Sequence, residues 1–470
     1  MLKTIKERNV IFIIIILMIL ITSYKTEFYK TILSQDSEDF DHDALKSADI
    51  SPKWTYFYGL KNVCGIAISS DGNYITGGGN DWETKLFHKS SSIPIRSYTT
   101  NHLRTKSIDI SSDGNYIVAG AGSAIDSKVY LLERSSSTPL WRYQTDHFVS
   151  SVAISADGNY LVAGSEDDYI YFFQKSSSTP LWRYNTGANV KSVAISSDGN
   201  YIVCGGMDNK VHLFQKSSSI PIWGYSASNL IYSVSISSDG NYIVSGNGDN
   251  SLCLFHRSSS TPLWSYSGTN YMYSVAISSD GNYIVAGSFD NNVYLFHRSS
   301  STPLWSYNTG YSVGSVAISD DGNFIVAGIT VGLVYLFHRS SSTPLRSYDT
   351  GSQIKQVDIS SDGSNFVAAS GYNFYYFEEN YFPKSFTLSS DADIPDSDGS
   401  FSLIWTDSAG ADNYSVYSYD SYITEINSSL TLLADQTANS PYSMIEYSGI
   451  YYYIVVAYNE TGFTLSNCIS

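Results

Sequence analysis

The sequence repeats one unit of about 41 residues eight times, and this repeat limits the possible folds more than any other feature. Each unit carries an Asp-Gly pair, usually within Ser-Asp-Gly-Asn. The intervals between successive Asp residues are 42, 44, 41, 41, 41, 41 and 41 residues. The Asp residues are Asp71, Asp113, Asp157, Asp198, Asp239, Asp280, Asp321 and Asp362. Such a period indicates an array of like supersecondary units that bury their apolar faces against one another.

Each unit is predicted to form four antiparallel strands. The sixth unit contains four runs rich in aliphatic and aromatic residues, at 275–277, 282–287, 293–297 and 304–308. Asp280-Gly281, between the first two runs, predicts a tight hairpin because Gly adopts positive φ without steric penalty. Four strands in about 40 residues are typical of a propeller blade. The sequence therefore predicts an all-β fold in which residues 53–386 form an eight-bladed β-propeller of four-stranded blades.

The units resemble WD repeats in their second and third strands. A turn aspartate follows the second strand in six units, at Asp81, Asp126, Asp167, Asp208, Asp249 and Asp290. Phe takes the place of the Trp that ends the third strand in that family, at Phe87, Phe173, Phe214, Phe255, Phe296 and Phe337. The fourth strand, Pro-Leu-Trp-Ser-Tyr, is similar instead to pyrroloquinoline-quinone-type propeller repeats. The resemblance implies a structural role for the turn aspartates. It indicates the fold of the region but not its function.

The two ends of the repeat region are expected to meet. Residues Trp54–Gly59 look like a fourth strand, yet they precede the first unit, whereas the eighth unit lacks a good fourth strand. We expect Trp54–Tyr58 to pair with the strand around Tyr375, since this pairing would cover both open sheet edges. Phe382–Leu388 is the competing strand.

The repeat stops before residues 387–470, which hold alternating strands around Trp405. This segment resembles a fibronectin type III domain, because Tyr451, Val455, Ala457, Asn459 and Gly462 fit the sixth strand of that family. The resemblance implies a β-sandwich that acts as a spacer or an adhesive module. Its three Asn-x-Ser/Thr sequons, Asn413, Asn427 and Asn459, are candidate glycosylation sites.

The N-terminal sequence is typical of an export signal. Three basic residues precede an apolar run from Val10 to Thr22, which as a helix is too short to cross a hydrocarbon core of about 30 Å. Residues 1–24 therefore read as a signal peptide, but no small-x-small cleavage site follows, so an N-terminal membrane anchor stays open. Residues 25–52 are predicted to be an acidic stalk. The protein is expected outside the cell or on its surface, in contact with the membrane if the segment is uncleaved.

Charge and motifs argue against several functions. The chain has 27 Lys and Arg against 44 Asp and Glu, a net charge of -17, which disfavours nucleic acid as a partner. The four cysteines are scattered, without a disulfide framework or a zinc pattern. No nucleophile motif, phosphate loop or EF-hand is present in the sequence. We therefore expect no cofactor, no metal site and no enzymatic activity.

Comparison of the eight units predicts a recognition surface. The Ser-Asp-Gly-Asn and Ser-Ser-Ser-Thr-Pro loops are nearly constant, offer chiefly Ser, Asp and Asn, and lie on one face, the constant face. The loops of the opposite face, the variable face, differ between units and are rich in aromatic residues, Arg and His, as recognition surfaces are. These residues are Trp82, His102, Arg104, His147, Tyr169, Met207, Tyr271, Tyr273, Phe289 and Tyr311. Sequence drift in unconstrained loops is the other interpretation.

These observations favour an exported, non-catalytic propeller scaffold whose variable face binds an unidentified protein or surface glycan. One alternative is a propeller enzyme, such as a quinoprotein-type oxidoreductase or a polysaccharide lyase, with its site in the central channel. A structural cell-surface component is another. Unlike titratable residues clustered in the channel would favour the enzyme, whereas a broad aromatic face would favour the binding protein.

Overall fold

The computed structural model describes residues 50–59, 61–100, 103–123 and 126–379, together with seven strands between residues 388 and 465. The predicted signal or anchor at 1–24 and most of the stalk at 25–52 lie outside the described residues. Among the residues that are described, no helix is long and apolar enough to span a membrane.

Thirty-two strands form eight four-stranded antiparallel sheets, which are the blades. The strands of blades 1 to 4 are β2 Val63–Ile68, β3 Tyr74–Gly79, β4 Glu83–His88, β5 Arg96–Thr99, β6 Arg104–Ile110, β7 Tyr116–Gly122, β8 Ser127–Glu133, β9 Trp141–Thr145, β10 Val149–Ile154, β11 Tyr160–Ser165, β12 Tyr169–Gln174, β13 Trp182–Asn185, β14 Val190–Ile195, β15 Tyr201–Gly206, β16 Lys210–Gln215 and β17 Trp223–Ser226. Those of blades 5 to 8 are β18 Ile231–Ile236, β19 Tyr242–Asn247, β20 Ser251–His256, β21 Trp264–Ser267, β22 Met272–Ile277, β23 Tyr283–Ser288, β24 Asn292–His297, β25 Trp305–Asn308, β26 Val313–Ile318, β27 Phe324–Ile329, β28 Leu333–His338, β29 Arg346–Asp349, β30 Ile354–Ile359, β31 Asn365–Ser370, β32 Asn373–Glu378 and, from the start of the chain, β1 Trp54–Phe57.

The ring closes within blade 8, whose strand order is β1-β32-β31-β30. Strand β1 runs antiparallel to β32, with Trp54 opposite Tyr376 and Phe57 opposite Asn373. The first strands of successive blades contact one another around the whole ring, including β30 against β2. The predicted pairing of the two ends of the repeat region in one blade is confirmed.

A fourth-strand Trp joins six of the eight blades to the next, whereas blades 1 and 7 have Arg96 and Arg346 in its place. The Trp264 ring of blade 5 lies 5.5 Å from the Phe296 ring of blade 6. Its indole N–H donates to the carbonyl of Arg298 at 2.8 Å. The same pair of contacts recurs for Trp54, Trp141, Trp182, Trp223 and Trp305. The paired Phe rings are fully buried, which explains why an aromatic residue ends every third strand of this set.

The constant Ser-Asp-Gly-Asn loop is a hydrogen-bonded turn. In blade 6 Asp280 accepts from the Ser278 hydroxyl at 2.6 Å and from the Asn282 backbone N–H at 2.9 Å. Gly281 has φ 70°, and a Cβ at this residue would lie 2.5 Å from the Tyr242 ring of the preceding blade. Glycine is therefore required at this residue for two reasons: the positive φ, and the close approach of the Tyr242 ring.

Seven further strands form two antiparallel sheets in the C-terminal region. They are β33 Leu388–Ser390, β34 Ser400–Trp405, β35 Asn413–Tyr419, β36 Thr431–Thr437, β37 Tyr442–Ile445, β38 Tyr452–Asn459 and β39 Gly462–Leu465. The sheet orders are β33-β34-β37 and β36-β35-β38-β39.

Candidate recognition surface and central channel

The variable loops share one end of the blades, because antiparallel strands place the second-to-third and fourth-to-first connections together. Nine of the ten predicted recognition residues lie there, and His102 lies outside the described residues. The structure brings five of the nine into two separate groups, which lie on different blades.

The first group is an aromatic patch on blades 5 and 6, the tyrosine cluster: Tyr232, Tyr271, Tyr273 and Phe289. The Tyr273 and Phe289 rings stack at 4.7 Å. Tyr232 lies 5.2 Å from Tyr273 and 5.6 Å from Tyr271. Tyr271 and Tyr273 keep 37% and 38% of their surface exposed. The cluster therefore presents adjoining rings that are already held in place.

Tyr232 was missed by the sequence analysis, although a signal exists. It follows the buried Ile231 as Tyr273 follows Met272, so both tyrosines occupy the same position of the repeat. Burial, followed by the proximity of the Tyr271 and Tyr273 hydroxyls, raises the pKa of Tyr232. The Tyr232 hydroxyl can both donate and accept a hydrogen bond.

The second group lines a cavity of about 220 Å³ between blades 8, 1 and 2, the cationic pocket. Its walls contain the predicted residues Trp82 and Arg104. They also contain Lys61, Asn62, Asn80 and Tyr372, which were missed. The Lys61 ammonium lies 5.5 Å from the centroid of the Trp82 ring. These residues come from three blades, so no single unit of the repeat indicates the pocket.

The other predicted residues of this face are not gathered into a site. His147 pairs with Glu166 at 3.3 Å, and Tyr169 lies 4.8 Å from the Arg183 guanidinium. Met207 and Tyr311 are exposed on separate blades.

The turn aspartates lie in local hydrogen-bond networks. In five of the six, a carboxylate oxygen accepts from the backbone N–H two residues further on, at 3.0 or 3.1 Å. Asp126 instead pairs with the Lys128 ammonium. The Asp167 and Asp290 carboxylates also accept from the hydroxyls of Tyr171 and Tyr294. Their oxygens are occupied within the turns, and the arrangement positions the third strand.

Two aspartates on the inner strands break the repeat, and the sequence analysis missed both. Asp109 and Asp358 occupy a position that is Ala or Ser in the other blades: Ala67, Ala153, Ala194, Ser235, Ala276 and Ala317. Asp109 accepts from the backbone N–H groups of Ile110 at 2.8 Å and Ile154 at 2.9 Å. Asp358 accepts from those of Ile359 and Ile68, both at 2.9 Å. Each carboxylate thus bridges two neighbouring inner strands.

Burial raises the pKa of both carboxyls. It brings the pKa of Asp109 to about 6 and that of Asp358 to about 7, against the opposing effect of the backbone N–H donors. The negative charge of Asp109 adds to the increase at Asp358. Each side chain keeps a little accessible surface, because the inner strands border the central channel. Carboxyls of this pKa exchange protons near neutral pH, which is the property of a general acid or base.

Asp109 and Asp358 do not fit an anionic quinone cofactor, which needs cations or a metal ion to balance its charge. Both are acids, and their oxygens already accept from the backbone. Within the described part of the chain, no three His, Cys, Asp or Glu side chains converge as a metal site.

The constant face is less polar than the sequence analysis expected. The residue after Pro in the Ser-Ser-Ser-Thr-Pro loop, or the Ile near it, is exposed in blades 1 to 6. These residues are Ile93, Ile95, Leu140, Leu181, Ile220, Ile222, Leu263 and Leu304. Ile93 and Ile220 keep 74% of their surface exposed. They are spaced around the rim, one or two to a blade, and form no cluster comparable with the tyrosines.

Two of the three sequons fall on described strands. Asn413 is the first residue of β35 and Asn459 the last of β38, whereas Asn427 lies outside the described residues.

The repeat region matches a known family. The PQQ-type family model described as outer membrane protein assembly factor BamB matches residues 76–307 and, in an overlapping alignment, residues 166–376. Together these alignments cover more than half of the chain. No curated protein matches the sequence.

Proposed function

This chain belongs to the family described as outer membrane protein assembly factor BamB, and from this premise we propose that it is an exported, non-catalytic propeller scaffold that binds a protein or a surface glycan through its variable face. The family description names an assembly factor, and a binding scaffold is consistent with that description. Export is supported by the apolar run from Val10 to Thr22 and by the three sequons.

The observation that carries the proposal is the tyrosine cluster. Aromatic residues are enriched among the residues that dominate binding energy, because a rigid ring buries a large area at little cost in conformational entropy. Tyr271 and Tyr273 are already fixed by ring contacts with Tyr232 and Phe289. Binding a partner therefore costs little side-chain conformational entropy at these two residues. Their exposed hydroxyls can also donate and accept hydrogen bonds at the edge of a contact.

We further propose that residues 387–470 form a fibronectin type III-like sandwich that holds the propeller away from its attachment point. The strand order supports this proposal, since the first, second and fifth strands share one sheet and the remaining four share the other. Trp405 ends the second of these strands.

Asp109 and Asp358 favour a second candidate, an enzyme with its site in the channel. The two acids differ from the other blades and have raised pKa values, as catalytic carboxyls do. However, each of their oxygens accepts a backbone N–H from an inner strand, which accounts for both residues as links between blades. The scaffold is therefore the better supported of the two candidates.

The proposal is tested by removing the tyrosine cluster from the full-length chain. We expect the double variant Tyr271→Ser, Tyr273→Ser to bind cell-surface material at least tenfold more weakly, since each buried Tyr contributes on the order of 1–2 kcal/mol. Its melting temperature should stay near that of the wild type, because both rings are partly exposed. Titration of the labelled protein onto intact cells measures the affinity.

The matched control is Leu263→Ser, Leu304→Ser, which removes two exposed apolar side chains from the constant face. It should bind like the wild type. Normal binding by the tyrosine variant, or an equal loss in the control, would place the contact elsewhere and contradict the proposal.

A further inference from the structure

The cationic pocket is a concentration of positive charge in a strongly acidic chain. The chain carries a net charge of -17, yet the pocket is lined by Lys61 and Arg104 and by no carboxylate. Among the ion pairs of the described residues, neither of these two cations has a carboxylate partner. The remaining walls are two amide side chains and two aromatic rings. A local positive field of this kind attracts an anionic group.

The inner strands next to the pocket add to this field. Cys64 lies on β2 beside the pocket, and its thiol pKa is raised by burial and lowered in turn by the charges of Lys355, Arg104 and Lys106. Lys355 and Lys106 come from the blades on either side of Cys64. Lys106 is itself paired with Glu166 at 3.1 Å, so the additional positive charge near Cys64 comes from Lys355 of blade 8 and Arg104 of blade 2.

Trp82 is held in a backbone conformation that suits its position in the repeat but is unfavourable for a bulky aromatic residue. It has φ 70°, in the left-handed region, where the only other non-Gly residues among those described are Asp168, Asn209, Asn250 and Asn291. Asn and Asp tolerate this conformation because their short polar side chains bond locally, whereas a bulky aromatic residue is strained there. Strain of this kind occurs where a side chain is needed for contact. The strained turn directs an indole ring into the wall of the pocket.

We propose that the cationic pocket binds a carboxylated sugar, such as a uronic acid residue of an acidic glycan. Arg104 and Lys61 would bind the carboxylate, and the Trp82 ring would pack against the apolar face of the sugar. This inference rests on the proposed function and names the ligand class for a second site on the variable face.

The polar lining favours a sugar over an acidic peptide. Asn62 and Asn80 line the pocket, and each side-chain amide carries N–H donors and a carbonyl acceptor; the Asn80 oxygen also accepts from the Cys64 thiol at 3.7 Å. Sugar hydroxyls donate and accept hydrogen bonds, so they use both halves of each amide, whereas a peptide carboxylate uses only the donors. A cavity of about 220 Å³ also admits one ring rather than a length of chain.

Titration calorimetry with trigalacturonic acid tests the proposal on the full-length chain. We expect trigalacturonic acid to bind at least tenfold more tightly than neutral maltotriose or triglutamate, and its affinity to fall as salt is added. Arg104→Gln and Trp82→Asn should each weaken it at least tenfold. Trp82→Asn installs the residue of three other blades, so its melting temperature should equal or exceed that of the wild type. Lys210→Gln, which removes a cation from the variable face of blade 4, is the control and should bind normally.

The results separate this inference from the proposed function. Tighter binding of triglutamate would make the pocket a peptide site and overturn the inference, as would unchanged affinity in Arg104→Gln and Trp82→Asn. A complete absence of trigalacturonic acid binding would overturn it as well. The proposed function would survive each of these results, because its own test removes Tyr271 and Tyr273 on the opposite part of the ring.

Discussion

Asp109 and Asp358 link neighbouring blades, and the contribution of these two buried carboxyls to stability depends on pH. Each carboxylate accepts two backbone N–H groups on inner strands, whose channel-facing edges have no further strand to pair with. Burial opposes the charge, so the pKa values rise to about 6 and about 7. The folded protein consequently binds more protons than the unfolded chain between pH 4 and these values.

The sign of the pH dependence follows from these increases. Because the folded-state pKa of each group lies above its unfolded value, its contribution to stability is fully present below about pH 4. It is lost as the pH rises to about 7. We expect the double variant Asp109→Ala, Asp358→Ala to lose this decline, since Ala is the residue of most other blades. Urea unfolding between pH 4.5 and 7.5 measures the slope for both proteins.

The hairpin aspartates do not interfere with this comparison. In six of the hairpins burial opposes the charge of the aspartate, but hydrogen bonds from Ser and Asn outweigh it and lower the pKa values of Asp71, Asp113, Asp157, Asp198, Asp239 and Asp280. Their stabilisation is therefore lost only below the pH range of the test. If the double variant keeps the slope of the wild type, the channel carboxyls are not its source.

At the scale of single strands, β1 carries the closure of the ring. It supplies the fourth strand of blade 8, and its indole N–H from Trp54 donates to the Lys89 carbonyl of blade 1 at 2.8 Å. Tyr56 and Tyr58 add ring contacts with Phe374, so the strand is held by packing as well as by its ladder. The two ends of the propeller are thereby fixed in one sheet.

Deleting residues 53–59 should open this sheet. The edge of β32 would lose its partner, and Phe87, Phe374 and Tyr376 would lose aromatic neighbours. We expect a fall in melting temperature of about 10 °C or more, corresponding to several kcal/mol. Calorimetry of the Trp54→Phe variant beside the deletion separates the indole hydrogen bond from the rest of the strand. Trp54→Phe removes that one hydrogen bond and should lower the stability by about 1 kcal/mol. An unchanged melting curve in the deletion would assign the closing role to Phe382–Leu388.

For the molecule as a whole, the periodic features could be predicted from the sequence and the non-periodic ones could not. The Asp-Gly interval predicts eight blades, and the misplaced Trp54 strand predicts the closure, because both follow from one unit compared with the next. The cationic pocket draws residues from three blades, so no comparison within a unit indicates it. Asp109, Asp358 and Tyr232 do depart from the repeat in the sequence. Their significance depends on knowing that the first strand is the innermost one.

The eight junctions between blades are unequal, and the one between blade 1 and blade 2 lacks the regular inner-strand serine. At a regular junction a serine of one inner strand accepts from the next, as Ser274 does from the Val316 N–H at 3.1 Å. Blade 1 has Gly65 in that position, and Arg96 replaces the bridging Trp of its fourth strand. The backbone bond found near the constant face of the other junctions is replaced here by the Ser70 and Ser112 hydroxyls at 3.0 Å.

Restoring the missing serine should strengthen this junction. A Cβ at Gly65 would lie 3.1 Å from Cγ2 of Ile108, so Gly65→Ala adds a tight contact and no hydrogen bond. Gly65→Ser adds the same Cβ together with an acceptor for the Ile108 N–H, which the Cβ approaches to 3.5 Å. We expect the serine variant to be about 1 kcal/mol more stable than the alanine variant, and hydrogen exchange at Ile108 to be slower in it. If alanine is as stable as serine, the inner-strand serines fill space between blades and their hydrogen bonds contribute nothing measurable to the ring.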